Sequence, residues 1–305
     1  RYNDETEGLS NKMKGQVANV FANVEGRIKF FMYSAGLTVQ HNRMNIETIA
    51  FKTTRNATYL RPQAMLAYLL NPERGTMFNL MYQRTADELH YSIMNSYRFY
   101  DDPLHYTTGN PDLIKPIHHE LLLRFTLNKH FAINFMLDHS NHSIYFAFGT
   151  DSENPAISYS KPVNANYEQA LGLQAEAKFN VKKWWQTNLQ AAAIRTKLST
   201  PLSTETYPFG GKFWWNNQFN FTPSFGASLN AYWETAMSVQ KQILKPVGHV
   251  KASLWKTLCK DKIRLSLESN LWSKGRKRTA FADNHTSYYH NKTHTTSFML
   301  SLTWN

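Results

Sequence analysis

The chain has 305 residues, 14% of them aromatic (19 Phe, 16 Tyr, 8 Trp), and its 34 Lys and Arg against 22 Asp and Glu give a formal charge of +12. A single cysteine, Cys259, excludes an intrachain disulfide and any thiolate cluster for zinc or iron–sulfur. No apolar run reaches the length of a membrane-crossing helix, about 18 residues, although a barrel strand of about 9–11 alternating residues escapes that test.

Successive side chains of a strand point to opposite faces, so an apolar residue at every second position marks a strand with one greasy face. The pattern begins with Ala18, Val20, Ala22 and Val24 against Asn19, Phe21, Asn23 and Glu25. It continues with Tyr33, Ala35, Leu37 and Val39, with Ala64, Leu66 and Tyr68, and with Phe78, Leu80 and Tyr82 against Asn79, Met81 and Gln83. Charged groups then enter the other face. Leu121, Leu123, Phe125 and Leu127 oppose Glu120, Arg124 and Thr126, and Phe131, Ile133, Phe135 and Leu137 oppose Asn134, Asp138 and Ser140.

The second half repeats the design. Leu171, Leu173, Ala175 and Phe179 face Gln174, Glu176 and Lys178; Trp185, Leu189 and Ala191 face Gln186, Asn188 and Gln190. Runs built on Phe213 to Phe221, Phe225 to Trp233, Val250 to Leu254 and Ile263 to Leu267 lead to a last strand with Phe298, Leu300, Leu302 and Trp304 on one face. About thirteen strands result, with no convincing helix.

Short turns at 26–29, 71–75, 128–130, 181–183, 222–224 and 259–261 alternate with long polar stretches at 43–58, 85–116, 141–162, 196–211, 236–247 and 273–292. Outer-membrane barrels show this asymmetry, with tight periplasmic turns at one rim and long external loops at the other. A soluble sandwich shares the alternation, but three features favour the barrel. Strands of about ten residues exceed the ~5–6 usual in soluble sheets. Aromatics such as Tyr68, Phe131, Phe179, Trp184, Trp185, Phe221, Phe225 and Trp233 gather at strand ends as interfacial girdles do. Glu120, Arg124, Asp138, Glu176, Lys178, Glu234, Arg264 and Glu268 on the polar face suit a wet lumen.

The expected fold is an all-β, transmembrane, antiparallel up-and-down β-barrel in the bacterial outer membrane, occupying 1–305. With a periplasmic C-terminus, thirteen crossings place 1–15 in an external loop. Because single-chain barrels have an even strand number, the chain reads as the C-terminal part of a larger one.

Leu60-Arg61-Pro62, Asn79-Leu80-Met81-Tyr82-Gln83-Arg84, Asp101-Asp102-Pro103 and, above all, Gly109-Asn110-Pro111-Asp112-Leu113-Ile114-Lys115-Pro116 resemble the barrel of TonB-dependent receptors of Gram-negative bacteria. Within the last stretch Gly109, Asn110, Pro111, Leu113 and Pro116 form the motif. The resemblance implies a barrel of ~22 strands, the size of plugged outer-membrane transporters. It also implies a plug domain and a TonB-binding segment, to which nothing here corresponds. Phe298, Leu300, Leu302 and Trp304 resemble the C-terminal signal read by the barrel assembly machinery. The partners implied are outer-membrane lipid, that machinery and, through regions outside this sequence, TonB and a surface lipoprotein.

Other chemistry is weakly supported. His118 and His119 point to opposite faces and cannot both chelate, and His139, His142, His285, His290 and His294 lack a supporting carboxylate spacing, so no metal is expected. The basic run 274–278 suits lipid phosphate better than nucleic acid. Asp138 and Ser140 share a face that His139 leaves, which argues against a hydrolytic unit. No catalytic residue and no cofactor is therefore assigned. The expected function is nutrient uptake, with loops 85–116 and 141–162 contacting ligand or a partner lipoprotein. A structural or assembly barrel without transport, and more remotely a barrel hydrolase, are the alternatives.

Overall fold

A computed structural model describes residues 12–47, 52–239, 242–259, 262–275, 277–282, 285–290 and 297–304. In chain order the elements are β1 (Lys12–Ile28), β2 (Phe31–Glu47), β3 (Lys52–Asn71), β4 (Thr76–Ala86), α1 (Tyr91–Met94), β5 (Arg98–Asp102), β6 (His105–Thr108), β7 (Ile117–Thr126), β8 (Phe131–Asn141), β9 (Ile144–Thr150) and β10 (Ser158–Asn164). There follow β11 (Tyr167–Lys182), β12 (Trp185–Ser199), β13 (Thr204–Thr206), β14 (Gly210–Thr222), β15 (Phe225–Glu234), β16 (Met237–Val239), β17 (Gln242–Leu244), β18 (Val247–Leu258), β19 (Ile263–Lys274), β20 (Lys277–Ala282), β21 (His285–His290) and β22 (Phe298–Trp304).

The main sheet is a meander in the order β1-β2-β3-β4-β7-β8-β11-β12-β14-β15-β18-β19-β22, with β13 beside β12. These are the alternating runs of the sequence, each paired antiparallel with the next. Among the described residues β1 pairs only with β2 and β22 only with β19, so the sheet has two unpaired edges. Of the segment expected as an external loop, 1–11 lies outside the described residues, while 12–15 is already strand.

The register separates two faces. One row of directly opposed residues runs Leu80, Leu123, Phe135, Leu173, Ala193 across β4, β7, β8, β11 and β12. These side chains face away from any protein core: Leu173 is 54% exposed, Leu60 50% and Val20 73%. An apolar surface continuous over this many strands would aggregate in water and is satisfied by lipid. The ten residues of β7 rise ~33 Å, which at a tilt of ~40° spans ~25 Å, the height of an outer-membrane apolar band.

At the short-turn rim a chain of rings closes that band: Phe131–Phe179 at 5.3 Å, Trp184–Phe221 at 5.7 Å, Trp185–Phe219 at 5.9 Å and Phe221–Phe225 at 5.5 Å between centroids. Trp185 and Trp215 also bury polar partners beneath them. The indole N–H of Trp185 donates to Asn217 Oδ1 at 3.1 Å and that of Trp215 to Thr187 Oγ1 at 3.0 Å. Asn217 is only 2% exposed although its face is the apolar one. The two tryptophans shield the polar groups and satisfy their own N–H at once.

The long connections depart from expectation in two ways. In the polar stretch 43–58 the described residues 43–47 and 52–58 are strand and not loop: β2 and β3 stay paired as far as Glu47 opposite Lys52, and Leu60-Arg61-Pro62 lies inside β3. Backbone pairing needs no apolar face, so residues such as Asn45 and Thr54, hydrogen-bonded across the ladder at 2.9 Å, continue the strands without alternation. Elsewhere the long segments fold into sheets of their own. β5-β6-β10-β9 joins 87–116 to 142–166 through parallel pairing of β6 with β10, and β16-β17-β20-β21 joins two later connections.

Candidate functional site at the long-loop rim

The eight charged residues expected in a lumen fall on one face of the sheet by register, opposite to the row of Leu123. They are not all brought together. Arg124 pairs with Glu176 at 3.1 Å and donates to Asn134 at 3.0 Å; Asn134 donates on to Gln174, and Gln174 to Gln190, each at 3.2 Å. This chain of bonds crosses β7, β8, β11 and β12. Glu120 accepts from Gln83 at 2.5 Å and stands opposite Asp138. Lys178 lies opposite Asn188. Glu234, 3% exposed, accepts from the Tyr232 hydroxyl and stands opposite Lys212. Arg264 lies over the Trp255 ring at 4.9 Å, and Glu268 stands between Ser253 and Met299.

The motif residues build the floor of a loop. Gly109 sits where a Cβ would lie 2.3 Å from the Asn95 carbonyl oxygen, so only glycine permits its N–H to reach that oxygen at 2.8 Å. Asn110 donates through Nδ2 to the Pro162 carbonyl at 3.0 Å, tying 87–116 to β10. Leu113, 1% exposed, packs with Leu89 and Met94. Pro116 offers its carbonyl to the Asp87 N–H at 3.1 Å, closing the loop at its base. Pro111 and Leu113 offer theirs to the guanidinium of Arg55 on β3.

Between this floor and the ends of β2 and β3 lies an open cavity of ≈ 460 Å³. Its walls mix Met44, Met94 and Leu113 with Asn42, Tyr59 and Lys115. The Lys115 ammonium binds Glu88 and lies 5.4 Å from the Tyr59 ring centre; Glu88 in turn accepts from Asn42 at 3.0 Å and Gln40 at 3.2 Å. Size and amphipathic lining fit a small-molecule site. Arg55 lies in the polar stretch 43–58 where alternation lapses, and Asn42 and Tyr59 flank it, so none of the three carries a local signal.

A second latch joins the two loops. Tyr106 donates to Asp151 at 2.8 Å, and Arg98 reaches the same carboxylate at 3.2 Å while lying 4.8 Å over the Tyr106 ring. The backbone N–H groups of Glu153 and Asn154, together with the tyrosine hydroxyl, hold the Asp151 carboxyl below its usual range. Burial and the same bond push the Tyr106 phenol up.

The remaining candidates separate. His118, 2.9 Å from Asp87, and His119 occupy opposite faces, as do His139 and the pair Asp138 and Ser140. Among the described residues no three His, Cys, Asp or Glu converge as a metal site, and His294 lies outside them. Lys274 of the basic run lies over Trp233 at 5.4 Å, and Arg276 lies outside the described residues. Phe298, Leu300, Leu302 and Trp304 share one face of β22, opposite Ser269, Leu267, Leu265 and Ile263.

An antiparallel meander, greasy on one face, polar on the other, with short turns at one rim and folded loops at the other, is the wall of a transmembrane β-barrel. The chain belongs to the outer membrane protein beta-barrel family, whose model matches residues 3–304, and it is an integral outer-membrane protein. No protein of curated function matches it in sequence. Among solved structures it is similar to the copper transporter OprC (10% identity, TM-score 0.63, covering 85% of this chain and 42% of that one). It is also similar to the FrpB iron transporter from Neisseria meningitidis (13%, 0.56, 86% and 41%) and the siderophore receptor PirA from Pseudomonas aeruginosa (10%, 0.59, 87% and 55%). At these identities the likeness is one of fold. The chain spans 41% to 55% of the lengths of these three, and it resembles the barrel portion of TonB-dependent receptors.

Proposed function

We propose that this chain is the barrel portion of an outer-membrane receptor that captures a scarce nutrient, such as a chelated metal, and admits it with energy delivered through TonB. The observation that carries the reading is the ≈ 460 Å³ cavity among Asn42, Arg55, Tyr59 and Lys115, set where the polar face meets the folded loops. In this reading the polar face lines the lumen. Its bonded chain from Arg124 to Gln190 offers a hydrated wall that a plug could slide against. The cavity is the capture site, held by loop 87–116 and braced by Asn110, Arg55 and the Asp151 latch. The barrel wall positions and passes the ligand and makes no covalent change in it. The strand ending in Trp304 serves recognition by the assembly machinery, and the outer loops offer a surface for a lipoprotein partner.

The test is uptake by cells carrying the intact gene, supplied with radiolabelled ferric and cupric chelates, in the presence and absence of functional TonB. Accumulation that depends on both the gene and TonB is expected. Accumulation that depends on the gene but is indifferent to TonB would overturn the energy source, and accumulation unchanged when the gene is deleted would leave a structural barrel without transport.

A further inference from the structure

The apolar face does not fade out toward the long loops; it stops at a row of nitrogen-bearing side chains. Arg84, His119, His139, Gln169 and Lys197 stand directly opposite one another across β4, β7, β8, β11 and β12. One step toward the short-turn rim, the same five strands present Tyr82, Leu121, Leu137, Leu171 and Arg195. We propose that this row is a binding site for the phosphate of an anionic lipid headgroup, with the acyl chains lying on the leucines beneath.

Three observations support it. First, the charge is one-sided. Glu120, Asp138, Glu168 and Glu176, the carboxylates of β7, β8 and β11, all fall on the polar face by register, so no carboxylate of these strands competes for the cations of the row. Second, the partners these cations have are neutral ones. Arg84 Nε is buried with no hydrogen-bond partner, a demand that an anion would meet. The Lys197 ammonium lies 5.4 Å from the Tyr167 ring centre, and the Arg195 guanidinium lies 5.6 Å from that of Phe209 and donates through Nε to the Tyr207 carbonyl at 3.3 Å, so aromatic and neutral partners hold both heads without cancelling their charge. Third, the imidazoles and amide are held as a rigid platform. Tyr82 and His119 share a bond at 2.9 Å, Gln169 and His139 one at 3.1 Å, and His139 and Asn141 one at 3.1 Å. Five strands at ~4.8 Å spacing make the row ~19 Å wide, room for one headgroup and its immediate chains.

The inference rests on the membrane-spanning fold and is independent of nutrient uptake. It is tested by native mass spectrometry of the detergent-solubilised full-length protein with dioleoyl phosphatidic acid, dioleoyl phosphatidylcholine or inorganic phosphate. Phosphatidic acid should be retained well above phosphatidylcholine, and inorganic phosphate should compete weakly. Arg84→Gln, Arg195→Gln and Lys197→Gln should each weaken retention about fivefold, whereas Lys178→Gln on the other face should not. Equal retention of the two lipids by the unmutated protein overturns the proposal whether or not the variants fold. Variants that retain phosphatidic acid fully overturn the assigned residues. Inorganic phosphate competing as well as the lipid shows a free-phosphate site instead.

Discussion

Replacing Leu123 by arginine tests the face assignment most directly. Leu123 stands between Leu80 and Phe135 on the apolar face, below the polar row at His119 and above the aromatic rim at Phe125. An arginine facing lipid near the midplane costs ~2–4 kcal/mol, which lowers the folding equilibrium by a factor of roughly 30 to 900. Leu122, its neighbour in sequence, faces the other way, between Met81 and Met136, two residues from Glu120. There an arginine meets water and a carboxylate, and the cost should stay within about 1 kcal/mol. Both variants of the full-length protein would be folded into lipid vesicles across a urea series. The folded fraction is read from the heat-modifiable mobility of the barrel on gels. A large shift for Leu123→Arg and a small one for Leu122→Arg is expected; equal shifts would refute the assignment.

Three further outcomes follow from local chemistry. Trp185→Phe leaves Asn217 without its indole donor on a lipid-facing surface and should cost ~1–3 kcal/mol, most of which Asn217→Leu in the same chain should restore in a double-mutant cycle. Gly248→Ala places a Cβ 2.5 Å from Trp233 Cε3 and 3.0 Å from Trp272 Cζ3, so it should split the stacked pair at 6.0 Å and cost ~1–3 kcal/mol, visible in near-ultraviolet circular dichroism. Asp151 is held below its usual range, so the stability it lends the loop latch is present above the unfolded value of about 4 and is lost as pH falls below it. Amide exchange at 105–107 and 158–160, the parallel β6–β10 pairs, should therefore accelerate below about pH 4, and Asp151→Asn should flatten that dependence.

Which parts of this architecture could be read from the sequence follows from how local each signal is. Alternation over a few residues decides which face Leu123 or Glu176 takes, because the period of two needs no partner strand. Turn residues such as Asn71 and Gly75 mark the short rim for the same reason. The extension of β2 as far as Glu47 and of β3 back to Lys52 was invisible, since strands above the lipid are wet on both sides and lose the alternation. The motif from Gly109 to Pro116 was conspicuous, but its role as the floor of a cavity depends on Arg55, Asn95 and Pro162, all more than ten residues away.

The sequence by itself thus determined the strands, their faces and the membrane they suit, because lipid on one side and water on the other write a local pattern into each strand. Height is another matter. Parity says that Arg84, His119, His139, Gln169 and Lys197 face outward, yet only the hydrogen-bond register between strands sets all five at one level. The same holds for the cavity and the Asp151 latch, which join segments distant in the chain. Tertiary structure decided these because pairing energies between strands, and not the order of residues within one, fix which side chains share a row.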